Sequence, residues 1–202
     1  MPRKVDHRER RELLADALMR LAATEGLEGV SLRQVAAEAG VSTGMVQHYF
    51  RTKDAMMTFA LGMVADRIRA RSEEAALPAA PREVVRSVLL QILPLDDTRR
   101  LEGHVGLAFL AYAAVKPAIR TEVREGAAGM RGFIAQQLRT AGAHGIDPDI
   151  GAITLMALVD GLGMQLLSGQ YADEDAVAAL DVQLALLFDA PAPPRHSSDV
   201  PA

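Results

Sequence analysis

Three polar side chains and one glycine between positions 43 and 48 are the residues best suited to a chemical task. Thr43, Gln47 and His48 offer a hydroxyl, an amide and an imidazole, and Gly44 lies among them. These three groups can donate and accept hydrogen bonds, which suits the edges of DNA bases and the phosphate oxygens. Gly44 has no side chain at a point where the start of a helix would need to approach a DNA backbone closely. The spacing therefore predicts a surface that reads DNA.

Two short helices joined by a tight turn would position these residues. Ser31 followed by Gln34 is a capping-box pattern, which predicts a helix that begins at Leu32. Gly40 offers the left-handed conformation that ends such a helix, and Ser42 is suited to cap the next one. The second helix is too short to be stable alone, so it must pack on its neighbours. The pattern is typical of a helix-turn-helix, although similar corners occur in all-α cores that never bind DNA.

A cation follows at the start of the third helix of this unit. Thr52 is suited to cap that helix, and Lys53 lies in its first turn. A lysine at the positive end of a helix dipole is unfavourable unless an anion shares the site, and a DNA phosphate would be that anion. The residues predicted to contact DNA are Arg33, Gln34, Ser42, Thr43, Gly44, Gln47, His48, Tyr49 and Lys53.

The charge of the chain is divided unevenly. The net charge is −4, but residues 1–53 hold nine Lys and Arg against seven Asp and Glu, and the remainder carries −6. So small a positive excess favours DNA only through local placement and through two copies acting together. Taken singly, each of these cations except Lys53 is more simply interpreted as an ordinary solvated charge. We expect residues 1–5 to form a flexible basic arm before a first helix from about Asp6 to Glu25.

The helix-turn-helix segment resembles the N-terminal domain of TetR-type bacterial transcriptional regulators. The family pattern AxxAGVSxGxxxxxFxxKxxL is matched, with Met56 in place of the last leucine, by Ala36, Ala39, Gly40, Val41, Ser42, Gly44, Phe50 and Lys53. The run STGMVQHYFRTKDAMM is most similar to the BetI-like branch. Gln47 stands where most relatives carry a tyrosine, and Tyr49 where they carry a histidine, so the resemblance implies an operator preference of its own. It also implies a repressor that a small-molecule effector releases from a palindromic operator.

The rest of the sequence is helical in pattern. Hydrophobic residues make up 50% and aromatic residues 4%, and nothing resembles a strand pair. Proline and glycine divide the chain into about nine helices, of which the later ones are expected at about 54–74, 82–93, 98–116, 118–140, 148–169 and 174–188. We predict an all-α protein with a three-helix DNA-binding domain in residues 1–53, joined by a long helix to the rest. A helical effector-binding and dimerisation domain in 54–190 and a disordered tail in 191–202 complete it.

The last two helices carry more apolar surface than a small bundle needs. We predict a dimer interface formed by Ile153, Ala157, Gly161, Leu180, Leu184 and Leu187. The alternative is that both helices close the core of the monomer, but the resemblance implies an intersubunit four-helix bundle built from them. A twofold dimer would present two reading helices one DNA turn apart, so the operator should be an inverted repeat.

Flexible thioether and aromatic side chains occur in the sequence after the helix-turn-helix, and they could line a largely apolar effector cavity. The candidates are Met63, His104, Phe109, Tyr112, Met130, Phe133 and Met156. Tyr112 and His104 are the strongest, because a buried hydroxyl or imidazole needs a partner that a ligand could supply. The competing interpretation is that most of these residues are ordinary core.

Several other functions are disfavoured by the sequence. The chain has no cysteine and no His or carboxylate cluster at ligand spacing, so we expect neither a metal site nor a cofactor. The five histidines are scattered and no nucleophile has an activating neighbour, so we do not expect an enzyme. No apolar stretch is expected to span a bilayer, and the protein should be cytoplasmic. A soluble carrier of hydrophobic ligands, or a helical enzyme with an incidental helix-turn-helix, remains the alternative to a DNA-binding regulator.

Overall fold

The computed structural model describes residues 2–27, 29–74, 80–143 and 145–189, with side chains throughout except at residues 2–6, 118 and 122. This part contains nine α-helices and no strand, which confirms the all-α prediction. The predicted tail, 191–202, lies outside the described residues. The helices are α1 (Pro2–Glu25), α2 (Leu32–Glu38), α3 (Thr43–Tyr49), α4 (Lys53–Glu74), α5 (Pro81–Ile92), α6 (Asp97–Val115), α7 (Arg120–Thr140), α8 (Pro148–Leu167) and α9 (Asp173–Phe188), and a 3-10 helix, Pro117–Ile119, precedes α7.

The expected helices lie within two residues of these bounds at both ends, except at the start of the first. Helix α1 begins at Pro2 rather than near Asp6, so the flexible arm expected in residues 1–5 is wrong for residues 2–5. Proline at the first helical position has its φ already set and needs no partner for a missing N–H. The helix can therefore begin about one turn before Asp6, the start expected from the sequence.

The predicted caps of the helix-turn-helix are present. Ser31 Oγ accepts a hydrogen bond from the Gln34 backbone N–H at 3.3 Å, and Gln34 Oε1 accepts one from the Ser31 N–H at 2.9 Å. Gly40 ends α2 with a φ of +66°, where any side chain would be strained. The Ser42 and Thr52 hydroxyls each accept a bond from the backbone N–H three residues on, at 3.2 and 3.1 Å. Local hydrogen bonding alone thus fixes where α2, α3 and α4 begin.

Two hydrophobic cores divide the molecule. The first joins α1, α2, α3 and α4, and α6 contributes Val105, Phe109 and Ala113 to it from its middle and its C-terminal part. The second is built from α5, α7, α8 and α9, with Leu155 and Leu180 fully buried. Helix α6 therefore packs directly on the helix-turn-helix unit, although in the sequence it lies among the helices of the C-terminal part of the chain.

Polar contacts join α4 to α6 near both ends of α4, and we call this pair of contacts the α4–α6 clamp. At one end, the Arg71 guanidinium donates to both carboxylate oxygens of Glu102 at 3.1 and 2.7 Å and to the Gln91 carbonyl at 3.2 Å. At the other end, the Tyr112 hydroxyl donates to Asp54 Oδ1 at 3.0 Å. At 1.5 Å per residue, the two points lie about 25 Å apart along α4. A helix held at two such points is fixed in direction as well as in position.

Helix α8 corrects one expectation about membranes. Its 20 residues are long and apolar enough, by length and composition only, to cross a bilayer, with a mean hydropathy of 1.7. Asp160 and several glycines interrupt the apolar residues, so the sequence alone does not make this stretch apparent. Leu155, Val159 and Leu162 on one side of α8 are buried in the second core, so this side of the helix packs within the protein.

Candidate DNA interface and ligand groove

Helix α3 presents the predicted reading residues on one side. Gly44, Gln47 and His48 are exposed and Thr43 is half-buried, whereas Val46 is fully buried in the first core. Phe50 ends the helix with 1% of its surface exposed and lies 5.5 Å, between ring centroids, from Phe59 of α4. The outward face of α3 is thus polar and hydrogen-bonding, and its inward face fastens it to α4.

Gly44 is not required by the fold of the protein itself. A Cβ built there would meet, among the described residues, no closer atom than Ser42 Oγ at 3.9 Å, which is ordinary van der Waals contact. Alanine is a better helix former than glycine by roughly 0.5–1 kcal/mol. Among the described residues, the packing of α3 therefore does not require a glycine at this position.

Tyr49 and two histidines form a small aromatic group beside the reading face. The Tyr49 ring lies 4.8 Å from the His7 ring of α1 and 5.1 Å from the His48 ring, both in edge-on geometry. Such contacts orient the half-buried Tyr49 and restrict its rotamers. The predicted phosphate contact of Tyr49 would therefore come from a side chain already supported by α1.

Lys53 is engaged within the protein. Its ammonium group donates to the backbone carbonyl of Leu27, just after the end of α1, and lies 5.7 Å from the centre of the Tyr112 ring. The side chain is half-buried. These contacts tie the first turn of α4 to the segment before α2, so any phosphate bound by Lys53 would share it with structural partners.

The two predicted contacts on α2 differ in their surroundings. Arg33 is exposed. Gln34 is used by the capping box, and its side-chain Nε2 also donates to Glu25 Oε2 at 3.1 Å. Gln34 therefore orients α2 against the end of α1, which is a role that the predicted contact with DNA does not include.

A groove between α4, α6 and α8, here called the α4–α8 groove, has a cavity volume of about 180 Å³. At the ~30 Å³ that each water molecule occupies, this is room for about six waters. Apolar side chains supply most of its walls, and a Cβ at Gly106 would meet no described atom within 4 Å. Its lining residues are Val64, Ile68, Ile92, Pro94, Glu102, Gly103, Gly106, Leu107, Leu110, Val159, Asp160, Gly163, Met164 and Leu167.

The ionisable residues that line this groove are acidic. Glu102 is 5% exposed and is neutralised by Arg71, which stands behind it. Asp160 is exposed at the rim on α8, where desolvation by partial burial raises the pKa of its carboxyl group. The groove thus offers an apolar wall and negative charge, and both carboxylates were absent from the predicted site. An acidic residue within an otherwise apolar helix was the signal that could have identified Asp160.

The seven predicted effector residues are not brought together around this groove. Phe109 is buried in the first core, with Met63 and Tyr112 packed at its border, and Tyr112 bonds to Asp54. Met130, Phe133 and Met156 pack against the second core. His104 is half-buried on α6. Residue type alone did not reveal which of the two cores each side chain joins.

The predicted dimer residues fall on two different faces. Ile153 and Ala157 of α8 are exposed and Gly161 is half-buried, whereas Leu180, Leu184 and Leu187 of α9 are 0%, 0% and 3% exposed within their own protomer. On the outer face of α9, Val182 and Leu186 are 61% and 65% exposed. The open apolar surface therefore joins one stripe of α8 to the side of α9 that the sequence analysis did not choose.

Comparisons with known proteins agree with this architecture. Residues 14–58 match the family described as bacterial regulatory proteins, tetR family, and residues 81–189 match the BetI-type transcriptional repressor C-terminal family. The chain is 36% identical to the HTH-type transcriptional regulator PksA of Bacillus subtilis, over 83% of each chain. It is 31% identical to the HTH-type transcriptional regulator BetI of Burkholderia mallei, over 89% of this chain and 93% of that one.

Solved structures give the same assignment. A transcriptional regulator from Rhodococcus sp. Rha1 superimposes with a TM-score of 0.81 and 37% identity, over 89% of this chain and 96% of that one. A protein from Saccharomonospora viridis, described as a transcriptional regulator, was solved in complex with choline. It superimposes with a TM-score of 0.74 and 26% identity, over 86% of this chain and 94% of that one. The curated relatives are regulators and not enzymes, as the sequence analysis expected. The chain belongs to the TetR family of DNA-binding transcriptional regulators, with a BetI-type C-terminal domain.

Proposed function

We propose that this protein is a cytoplasmic, dimeric repressor that binds an inverted-repeat operator and is released by a small molecule. Residues 1–53 would read DNA, and residues 54–190 would bind the effector and dimerise. The observation that carries the DNA-reading role is the outer face of α3, where Gly44 lies between hydrogen-bonding side chains although the protein has room for a Cβ. The competing function, a carrier of hydrophobic ligands, would give no reason for that face.

Substitution of Gly44 separates DNA binding from folding. The Gly44→Ala variant should be as stable as the wild type or slightly more stable, because alanine favours the helix and meets no close atom. Its operator affinity should nevertheless fall by roughly tenfold, since a methyl group would stand between the start of α3 and a phosphate or base edge. The operator is first obtained by selecting bound duplexes from a random DNA pool, and affinities are then measured by fluorescence anisotropy.

Gln47 provides the matching test of base reading. A side-chain amide that reads a base edge contributes about 1–3 kcal/mol of discrimination, so Gln47→Ala should weaken operator binding and relax the preference at one base pair. Arg33→Ala, at an exposed cation on α2, should instead weaken binding nearly equally for all sequences and reduce its salt dependence. Unchanged affinity and selectivity in Gly44→Ala and Gln47→Ala would contradict this assignment of α3.

The α4–α8 groove is the effector site that the structure supports best. Its lining combines apolar side chains with the carboxylates of Glu102 and Asp160, which suits a small, largely apolar molecule that carries a cation or a strong donor. The relative solved with choline holds a ligand of this charge. The groove lining contains no aromatic ring, so a cation here would depend on Asp160 rather than on an aromatic cage.

Calorimetric titration with choline and with its uncharged carbon isostere, 3,3-dimethylbutan-1-ol, tests the chemical class. The cation should bind at least tenfold more tightly, and Asp160→Asn should remove most of that difference. Gly106→Leu should block both molecules, because its side chain would project into open space in the groove. Equal binding of the two probes, or preference for the neutral one, would contradict a cationic effector while leaving the DNA-binding role intact.

Dimerisation is proposed through the outer faces of α8 and α9. Ile150 and Ile153 of α8 and Val182 and Leu186 of α9 are each 45–65% exposed, and so much apolar surface on one side of a small protein is typical of an interface. Leu186→Glu should convert the dimer to a monomer in sedimentation velocity. Leu13→Glu, also at an exposed leucine but on α1, should leave the dimer intact. Identical sedimentation of all three proteins would exclude this face.

A further inference from the structure

We propose that Tyr112 is a positioning residue for DNA binding, which sets the separation of the two reading helices and therefore the half-site spacing that the dimer accepts. This inference rests on the proposed dimeric reading of an inverted repeat. It concerns the Tyr112 end of the α4–α6 clamp, where the hydroxyl donates to Asp54 Oδ1 at 3.0 Å. Tyr112 is outside the lining of the α4–α8 groove and belongs to no predicted DNA contact.

The reading helix has a short mechanical connection to Asp54. Only residues 50–52 separate α3 from α4, and Phe50 is 1% exposed in the first core. The Thr52 hydroxyl caps α4, and Asp54 is the second residue of that helix. A contact that holds Asp54 therefore holds the end of α3 as well.

The other side of the contact leads to the proposed dimer helix. Tyr112 is on α6, and the first half of α6 lies so close to α8 that a Cβ at Gly103 would meet Leu167 Cδ1 at 3.3 Å. Helix α6 thus touches α8 at one end and Asp54 at the other. Because α8 contributes to the proposed dimer face, α6 is one of the elements that set the position of each reading helix relative to the twofold axis.

The two contacts of the α4–α6 clamp together fix the direction of α4 relative to α6. Arg71 and Glu102 hold the far end of α4, about 25 Å from Asp54 by helical rise. If the Tyr112 bond is lost, packing in the first core still holds α4, but a small swing about the Arg71–Glu102 contact no longer breaks a hydrogen bond. A swing of a few degrees over that length displaces the start of α4 by 1–2 Å, on the order of half of the 3.4 Å that separates stacked base pairs.

The chemistry of Tyr112 makes a clean substitution possible. A hydroxyl that donates to a carboxylate forms a charge-assisted hydrogen bond, which is stronger than a neutral one. The ring lies 5.7 Å from the ammonium of Lys53 and 5.9 Å from that of Lys116, in reach of a cation–π contact. Phenylalanine at this position keeps the ring contacts and loses the bond to Asp54.

The experiment measures spacing preference with the full-length protein. Operators selected from a random pool are remade as full palindromes, as single half-sites and as palindromes with one base pair added to or removed from the centre. Tyr112→Phe should bind the half-site as the wild type does, within twofold. It should bind the full palindrome roughly three- to tenfold more weakly than the wild type does, and its affinity should depend less on the spacing between half-sites. When the two DNA-binding domains are held less rigidly, the second domain has a lower effective concentration at the optimal spacing.

Variants of the partner residue distinguish the hydrogen bond from a general loss of structure. Asp54→Ala should reproduce the spacing behaviour of Tyr112→Phe, and the double variant should be no worse than either single one. Asp54→Asn should stay near the wild type, since its amide oxygen still accepts the bond. Tyr171→Phe, which removes a hydroxyl from another tyrosine outside the clamp, should leave the spacing preference unchanged.

The possible results separate this inference from the proposed function. Equal weakening of half-site and full-site binding by Tyr112→Phe would indicate a damaged reading unit and overturn the positioning role. A full palindrome bound by Tyr112→Phe with wild-type affinity and spacing preference would overturn it too, with the dimeric repressor still supported. Selection of single half-sites by the wild type would instead overturn the dimeric reading itself, and the spacing role with it.

Discussion

The Arg71–Glu102 end of the α4–α6 clamp joins two residues that are unequally exposed to solvent. Glu102 is 5% exposed, whereas the Arg71 side chain is 26% exposed and also donates to the Gln91 carbonyl. Removing Arg71 would leave a buried carboxylate without its cationic partner. Removing the charge of Glu102 would leave a guanidinium that already reaches water and keeps one carbonyl partner. The two substitutions should therefore differ in their effect on the free energy of unfolding.

The magnitudes follow from this difference in exposure. Loss of one partner from a buried ion pair costs about 3–5 kcal/mol, and we expect Arg71→Met to approach that range. Glu102→Gln retains an oxygen that can accept one bond from Arg71, so a cost of about 1–2 kcal/mol is expected. For a chain of this size, each kcal/mol lowers the midpoint of thermal unfolding by about 2–4 °C. Arg71→Met should then unfold roughly 10 °C below the wild type and Glu102→Gln roughly 4 °C below.

Circular dichroism during thermal and urea unfolding measures these shifts, at one protein concentration because subunit association would add to the apparent stability. Arg86→Met is the matched control, since Arg86 makes two bonds to Asp181, at 2.6 and 3.0 Å, but both side chains are about one-third exposed. That control should lose no more than about 1 kcal/mol. A larger loss in Glu102→Gln than in Arg71→Met, or equal losses in Arg71→Met and Arg86→Met, would refute the argument from burial.

Three further predictions concern a cap and two carboxylates. Ser42→Ala removes the cap of α3 and should cost about 1 kcal/mol in urea unfolding, and an unchanged midpoint would contradict the role of that hydroxyl. Burial raises the pKa of Asp160, so ionisation of this carboxyl group destabilises the fold as pH rises from about 4 through the higher pKa of the folded state. Asp160→Asn should therefore melt at a higher temperature than the wild type at pH 7. This difference in melting temperature should disappear by about pH 3. The hydrogen bond from Arg86 lowers the pKa of Asp181, so the stability that this pair contributes is present above about pH 4 and is lost as pH falls further. The wild type should therefore be more stable than Asp181→Asn at neutral pH, and this difference in stability should disappear in acid. A difference that does not change with pH would contradict the prediction.

Local signals in the sequence were sufficient for the helices and their caps. Ser31, Ser42 and Thr52 each act on a backbone N–H three residues away, so their effect does not depend on the rest of the fold. Gly40 likewise ends α2 through its own φ. The start of α1 was misplaced because proline and aspartate are both good first residues of a helix, and the sequence does not rank them.

Long-range placement could not be predicted in the same way. Helix α9 has apolar residues on two sides, so its periodicity does not say whether Leu184 or Leu186 faces inward. The effector candidates were chosen by residue type, and the fold distributes them between two cores. The groove depends on glycines and on Glu102, whose charge is acceptable there only because Arg71, 31 positions earlier, lies behind it. Such pairings become visible only when α4 and α6 are placed side by side.

The participation of α6 in the first core has a consequence for the exchange of parts between regulators of this family. A chimera that joins residues 1–74 to a foreign sensor would leave behind Val105, Phe109 and Ala113, which close the first core beside α1 and α4. The grafted segment would expose apolar surface and lose the Tyr112 contact with Asp54. Functional hybrids should therefore need residues 105–115 of α6 from the same parent as the reading helix. The unit that can be transferred is thus made of two segments that are separate in the sequence.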